Sequence, residues 1–253
     1  MVPTTAPVLR APSPPSTPQK KERLFLQGPR PRLKELWNIT RIAWEFLRVF
    51  RVLHFVGPCI TVFGSARFTE GHRHYEMTRA IGRGLANAGF TVMTGGGPGL
   101  MEAANRGAKE AGGTSVGCAI QLPREQAVNR FLDRFLTVRF FFVRKVALLK
   151  YSFGFVVVPG GMGTMDELFE ALTLIQTRKV EDFPVVVVGM GYWHALRHLL
   201  QDMARQTSID PNDLALVLFT DSVEEAVAHI ERHAVTKFGL VRTRPRRSRL
   251  LGE

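Results

Sequence analysis

The sequence predicts an α/β protein: a Rossmann-like doubly wound parallel sheet of about seven strands with helices on both faces. Three observations carry this expectation. From Gly57 onward short apolar runs alternate with helical patterns, the order that builds a parallel sheet through crossover helices. Phe155-Val156-Val157-Val158 and Val185-Val186-Val187-Val188 are apolar at every position, as strands covered by helices on each side must be. Glycine-rich turns follow the first, second and fifth of the apolar runs, where open parallel sheets receive ligands.

Composition sets the outer limits. A chain of 253 residues, 45% hydrophobic and 22% charged, suits one main core and excludes fibrous or wholly disordered classes. The net charge of +12 suggests nucleic acid until it is divided along the chain. Residues 1–34 carry seven basic and one acidic side chain and residues 237–253 carry six and one, whereas residues 35–236 hold 21 basic against 20 acidic. The ends read as solvated basic tails, and the nearly neutral body presents no broad polyphosphate footprint. Specific nucleic-acid binding is therefore not expected.

In chain order, residues 1–32 hold eight of the 15 prolines with Ser, Thr and basic residues, a mixture that buries too little apolar area to offset chain entropy. A disordered Pro-rich basic leader is expected there. Residues 33–56 form an amphipathic helix: Leu36, Trp37, Trp44, Leu47, Phe50 and Leu53 recur near helical spacing, and Arg41, Glu45, Arg48 and Arg51 interrupt the apolar surface. Packing against the main domain or a second subunit is expected in preference to a membrane-surface role. Residues 57–236 form the nucleotide-binding domain, with strands expected at 59–65, 90–94, 114–120, 135–140, 154–159, 183–189 and 216–220, and residues 237–253 a basic tail. Cys59 and Cys118 fall inside two of these runs without CxxC or metal-ligand spacing, which points to buried, reduced thiols and no metal. No stretch of about 18 apolar residues occurs, and the first 30 residues lack a signal-peptide core, so a cytoplasmic location is expected.

The three turns are Gly64-Ser65-Ala66-Arg67, Gly95-Gly96-Gly97-Pro98-Gly99-Leu100 and Pro159-Gly160-Gly161-Met162-Gly163-Thr164. Glycine admits positive φ and close approach of an anion to the backbone, and the helix start that follows offers unpaired N–H groups. Glycine also makes tight turns that hold nothing. Neither GxxxxGK[ST] nor GxGxxG is present, so a mononucleotide phosphate is favoured over a dinucleotide. Arg144 and Lys145 are expected to open a helix over 145–151, where adjacent cations oppose the dipole; an anionic partner or a solvated salt bridge would each account for them. Thr164-Met165-Asp166-Glu167 satisfies the S/T-x-x-E capping box. Glu167 either closes that box or faces a ligand held at the same helix start.

Taken together these residues resemble the LOG or "lonely guy" family of cytokinin-activating phosphoribohydrolases, long mislabelled as lysine decarboxylases. The likeness covers about residues 57–236. The PGGxGTxxE signature is intact as Pro159 to Glu167, preceded by an Arg-Lys pair at Arg144-Lys145, and Gly95-Gly96-Gly97-Pro98-Gly99-Leu100-Met101 resembles the GGGxxGLM turn with one residue fewer between the glycines. Leu122-Pro123-Arg124-Glu125 resembles the segment that contributes a substrate-contacting glutamate, carried here to Glu125. The family histidine before the Arg-Lys pair is replaced by Phe142-Val143, which resembles the longer bacterial branch and leaves the base of the substrate less defined than the chemistry.

The resemblance implies hydrolysis of the N-glycosidic bond of a purine nucleoside 5′-monophosphate, either AMP or a cytokinin riboside monophosphate, to free base and ribose 5-phosphate. It implies Arg144 and Glu167 as catalytic residues, with Ser65, Arg67, Gly95, Gly96, Gly97, Glu125, Lys145, Gly160, Gly161, Gly163, Thr164 and Asp166 binding substrate and its phosphate. No metal or organic cofactor is implied, and a homodimer or higher homo-oligomer is. The alternative is a non-catalytic nucleotide-binding or cofactor-carrier protein of the same fold. Pyridoxal-phosphate decarboxylation has no identifiable Schiff-base lysine with a ring-nitrogen partner.

Overall fold

The computed structural model describes residues 25, 26, 28, 31–121, 127–181 and 183–238. The expected leader and basic tail fall almost wholly outside these residues, and so does 122–126 with Glu125. The elements are α1 (Arg32–Leu53), β1 (Cys59–Phe63), α2 (Arg73–Asn87), β2 (Thr91–Thr94), α3 (Leu100–Glu110), β3 (Ser115–Ile120), β4 (Arg134–Val138), α4 (Phe141–Lys150), β5 (Ser152–Val157), α5 (Met162–Gln176), β6 (Val185–Val188), α6 (Met190–Arg205), a 3-10 turn (Pro211–Leu216), β7 (Val217–Thr220) and α7 (Val223–Phe238). Each expected apolar run overlaps one of the seven strands, with β4 starting one residue and β5 two residues earlier than expected.

The strands form one sheet in the order β4-β3-β2-β1-β5-β6-β7, and every neighbouring pair is parallel. From β1 the chain winds outward to β4, crosses back to β5 on the other side of β1, and winds outward again. The reversal between β1 and β5 opens a crevice beyond their carboxyl ends. The uninterrupted valine runs follow from the layers: Phe155, Val157, Val185 and Val187 enter the core cluster on one face, whereas Val156, Val158, Val186 and Val188 enter the cluster on the other. A pleat that points alternate residues at two buried faces leaves no polar position in the strand.

Helices α2 and α3 meet backbone to backbone. A Cβ at Gly82 would lie 2.1 Å from the Ala104 carbonyl oxygen, and one at Gly107 only 1.9 Å from that of Arg79, so no larger residue fits either crossing position. Helix α1 packs on the domain through Ile42, Phe46, Val49, Phe50 and Leu53. The Tyr151 hydroxyl donates to the Phe50 carbonyl at 3.2 Å, and the Arg139 backbone N–H donates to the Glu45 carboxylate. Cys59 and Cys118 are free and buried, and burial pushes both thiols up to about 12. Among the described residues no helix is long and apolar enough to cross a membrane.

Candidate active site

The three glycine turns meet at the reversal point and are tied to one another. Ser65 N–H donates to the Pro159 carbonyl at 3.0 Å, and Leu100 N–H donates to the Ser65 carbonyl at 2.9 Å. A Cβ at Gly64 would stand 2.5 Å from Val158 Cγ2, and Gly99, at φ +71°, would bring one 2.6 Å from the Ser65 oxygen. Such close crossing is a reason for glycine independent of any ligand. Around the turns opens a cleft of about 850 Å³, lined from the expected set by Ser65, Arg67, Gly95, Gly96, Gly97, Arg144, Gly160, Gly161, Gly163, Thr164 and Glu167.

The capping box does not form. Helix α5 begins at Met162 with Gly161 as its N-cap and no side-chain cap, because the chain turns into helix two residues ahead of Thr164. Thr164 instead packs its hydroxyl over Gly160, where a Cβ would lie 2.1 Å from Oγ1. Glu167, one turn further in, is only 5% exposed and lines the cleft. The first-turn N–H groups of a helix have no intrahelical acceptor, and no atom stands within 4 Å of the Cβ positions of Gly161 or Gly163. This end of α5 can receive an anion. Burial pushes the Glu167 carboxyl up to about 7, against the opposing pull of Arg144 and Lys145.

The position of the cation pair also differs from expectation. Helix α4 starts at Phe141, with Phe140 as its N-cap, so apolar residues occupy the first turn and Arg144 and Lys145 lie beyond it. The inferred conflict with the dipole is absent. The two side chains diverge: the Arg144 guanidinium reaches the cleft, where a Cβ on Gly95 would meet Nη2 at 2.7 Å, and its buried Nε has no hydrogen-bond partner. Lys145 pairs with Asp166 at 2.9 Å and Glu170 at 3.2 Å. Lys145 and Asp166 are thus absent from the cleft lining, and Glu125 lies outside the described residues.

A buried polar network not anticipated from sequence fixes the second turn. Gly96 N–H donates to Thr94 Oγ1 at 2.9 Å, so this amide is already engaged. Thr94 Oγ1 donates to Asn105 Oδ1 at 2.6 Å. Asn129 Nδ2 donates both to the Gly97 carbonyl and to Asn105 Oδ1, each at 3.0 Å, while Asn129 N–H donates to the Gly96 carbonyl at 3.0 Å. Nothing in the local pattern marks Asn105 or Asn129, which lie in a helix and a loop. Tyr192 was legible in principle, since Gly189-Met190-Gly191-Tyr192 is a fourth glycine turn after a strand. It lines the cleft, and its hydroxyl donates to the Gly160 carbonyl at 2.8 Å.

A family model described as possible lysine decarboxylase matches residues 101–230, half of the chain. The chain belongs to this family, the LOG family. The match takes in Arg144, the Pro159 to Glu167 signature and Tyr192. A protein of Mycobacterium tuberculosis named cytokinin riboside 5′-monophosphate phosphoribohydrolase is 29% identical over 157 residues, covering 60% of this LOG-family chain and 82% of the relative. A protein of the same name from Rhodococcoides fascians is 27% identical over 176 residues, covering 68% and 88%. The solved molybdenum cofactor carrier protein of Chlamydomonas reinhardtii superposes with a TM-score of 0.55 at 26% identity, covering 70% of this chain and 98% of the carrier.

Proposed function

We propose that this LOG-family protein hydrolyses the N-glycosidic bond of a purine nucleoside 5′-monophosphate, releasing the base and ribose 5-phosphate. The observation that carries the reading is the buried Glu167 carboxyl beside the open N-terminus of α5, in the same cleft as the Arg144 guanidinium. In this reading the first turn of α5 and the Thr164 hydroxyl take the 5′-phosphate, and the ribose reaches Glu167. The ionised carboxylate orients a water molecule and accepts its proton as oxygen adds to C1′; the C–N electron pair leaves with the base, which takes a proton from solvent. The carboxylate also stabilises the oxocarbenium-like state between the two events. Arg144 balances charge as the base departs, and Phe141, Val128 and Ile120 supply an apolar wall for the purine. The relatives are named for a cytokinin riboside 5′-monophosphate; AMP belongs to the same proposed substrate class, and an N6-alkyl group changes binding by about 1–3 kcal/mol.

A second copy against α4 and α5 belongs to the same reading, because Val146 and Met162 are exposed beside the cleft and the family resemblance implies a homodimer. No lysine is found among the described residues lining the cleft, which argues against a Schiff-base decarboxylase there. The likeness to the molybdenum cofactor carrier supports one competing reading, binding without turnover. Incubating wild type and Glu167→Ala with AMP and with isopentenyladenosine monophosphate and measuring free base separates them. Base release by wild type and its loss in Glu167→Ala is the expected result; tight binding without release from either nucleotide favours the carrier.

A further inference from the structure

We propose that the outer face of α1 is an interface with a second copy of this chain, in which two α1 helices pair antiparallel about Thr40. This inference does not rest on the hydrolase reading. Helix α1 has two apolar faces, and the inner one, with Val49 and Leu53 buried, closes on the domain core. The outer one carries Leu33, Leu36, Trp37, Thr40, Trp44 and Leu47. Leu33 is 82% exposed, Trp37 59%, Trp44 72% and Leu47 61%. At 3.6 residues per turn these six positions fall in a stripe about 100° wide.

The stripe has the register of a helix–helix seam. From Leu33 through Trp37, Thr40 and Trp44 to Leu47 the steps are four, three, four and three residues, the spacing of paired helices. The series also reads Leu-Trp-Thr-Trp-Leu in both directions. A two-fold contact sets residue i against j and j against i, so an antiparallel copy brings Trp37 against the partner's Trp44 and Leu33 against the partner's Leu47. The small Thr40 falls where the backbones cross. A lipid surface would impose no such register.

Area points the same way. The two indoles alone expose on the order of 250 Å². With the leucines the stripe exceeds the few hundred Å² of apolar patch usual on a monomer and approaches the roughly 800 Å² that each partner contributes to a standard interface.

The test uses the full-length chain. Thr40→Cys under mild oxidation should give disulfide-linked pairs, against a wild-type background kept low by the burial of Cys59 and Cys118. A mixture of Leu33→Cys and Leu47→Cys should cross-link where Leu33→Cys alone does not, as an antiparallel pair requires. Light scattering should show the mass of a Trp37→Glu/Trp44→Glu variant at half that of wild type, with an unchanged circular dichroism spectrum. Absence of Thr40→Cys pairing, or an unchanged mass in the double variant, overturns the proposal. So does pairing that appears only after residues 1–24 are removed, which would make the leader the occupant. Wild-type binding to anionic vesicles, lost in the double variant without a change of mass, would assign the face to lipid and overturn it equally.

Discussion

Glu167→Gln should stabilise the protein at the expense of its chemistry. Burial raises the Glu167 carboxyl from 4.5 to about 7, so the folded state holds this proton more tightly than the unfolded chain does. Between those values the native state binds more protons, and stability falls as pH rises. At about 1.4 kcal/mol per pK unit the penalty above pH 7 is on the order of 3 kcal/mol, and it shrinks to below about 1 kcal/mol at pH 5. A neutral glutamine avoids the penalty at every pH, less whatever its own amide loses by burial. Thermal unfolding should therefore show Glu167→Gln melting roughly 6–12 °C above wild type at pH 8, less the share lost to burying the amide, with the two curves converging near pH 5. Equal melting temperatures at pH 8, or a difference that grows on acidification, would refute the burial argument. The same variant should release no base, because an amide cannot accept the proton from water.

Three further outcomes follow from the site. Arg144→Ala should lower base release by at least about 100-fold, and it should move the rising limb of kcat/KM against pH above its wild-type position near 7, since Arg144 holds the Glu167 carboxyl down. Asn129→Ala strips donors from the Gly97 carbonyl and Asn105 Oδ1; at about 1–3 kcal/mol for a buried group left unpaired, denaturant titration should show that loss, with KM raised more than kcat is lowered. Tyr192→Phe frees the Gly160 carbonyl and should cost about 1 kcal/mol. Its KM for a nucleoside monophosphate should rise, with little effect on unphosphorylated nucleoside binding measured by calorimetry.

What could be read in advance was whatever depends on chain-local pattern. The seven strands were legible because Phe155 to Val158 and Val185 to Val188 must satisfy two buried faces at once, which removes every polar residue from the run. The turns that line the cleft were legible because glycine marks both close crossing and helix starts. Helix starts themselves were not: Gly161 caps α5 and Phe140 caps α4 without side-chain bonds, so Thr164 and Arg144 looked like boundaries while lying inside. The divergence of Arg144 from Lys145 follows from about 100° of helical rotation, which needs the true helix start to be assigned. Asn105 and Asn129 stayed hidden because their partnership is set by tertiary approach between a helix and a distant loop. Glu125 is carried by resemblance alone.

The backbone bonds that join Ser65 to Pro159 and Leu100 to Ser65 have a thermodynamic corollary. The turns they connect are remote in sequence and become neighbours only when β1, β2 and β5 are all in place. An unfolded or half-assembled chain holds no fragment of the receptor, so any molecule that fits the cleft acts on the folding equilibrium of the entire domain. Occupancy at one hundred times Kd adds about 2.7 kcal/mol. A melting-temperature survey of nucleotides, sugar phosphates and free bases would then rank occupants by affinity even where no bond is broken.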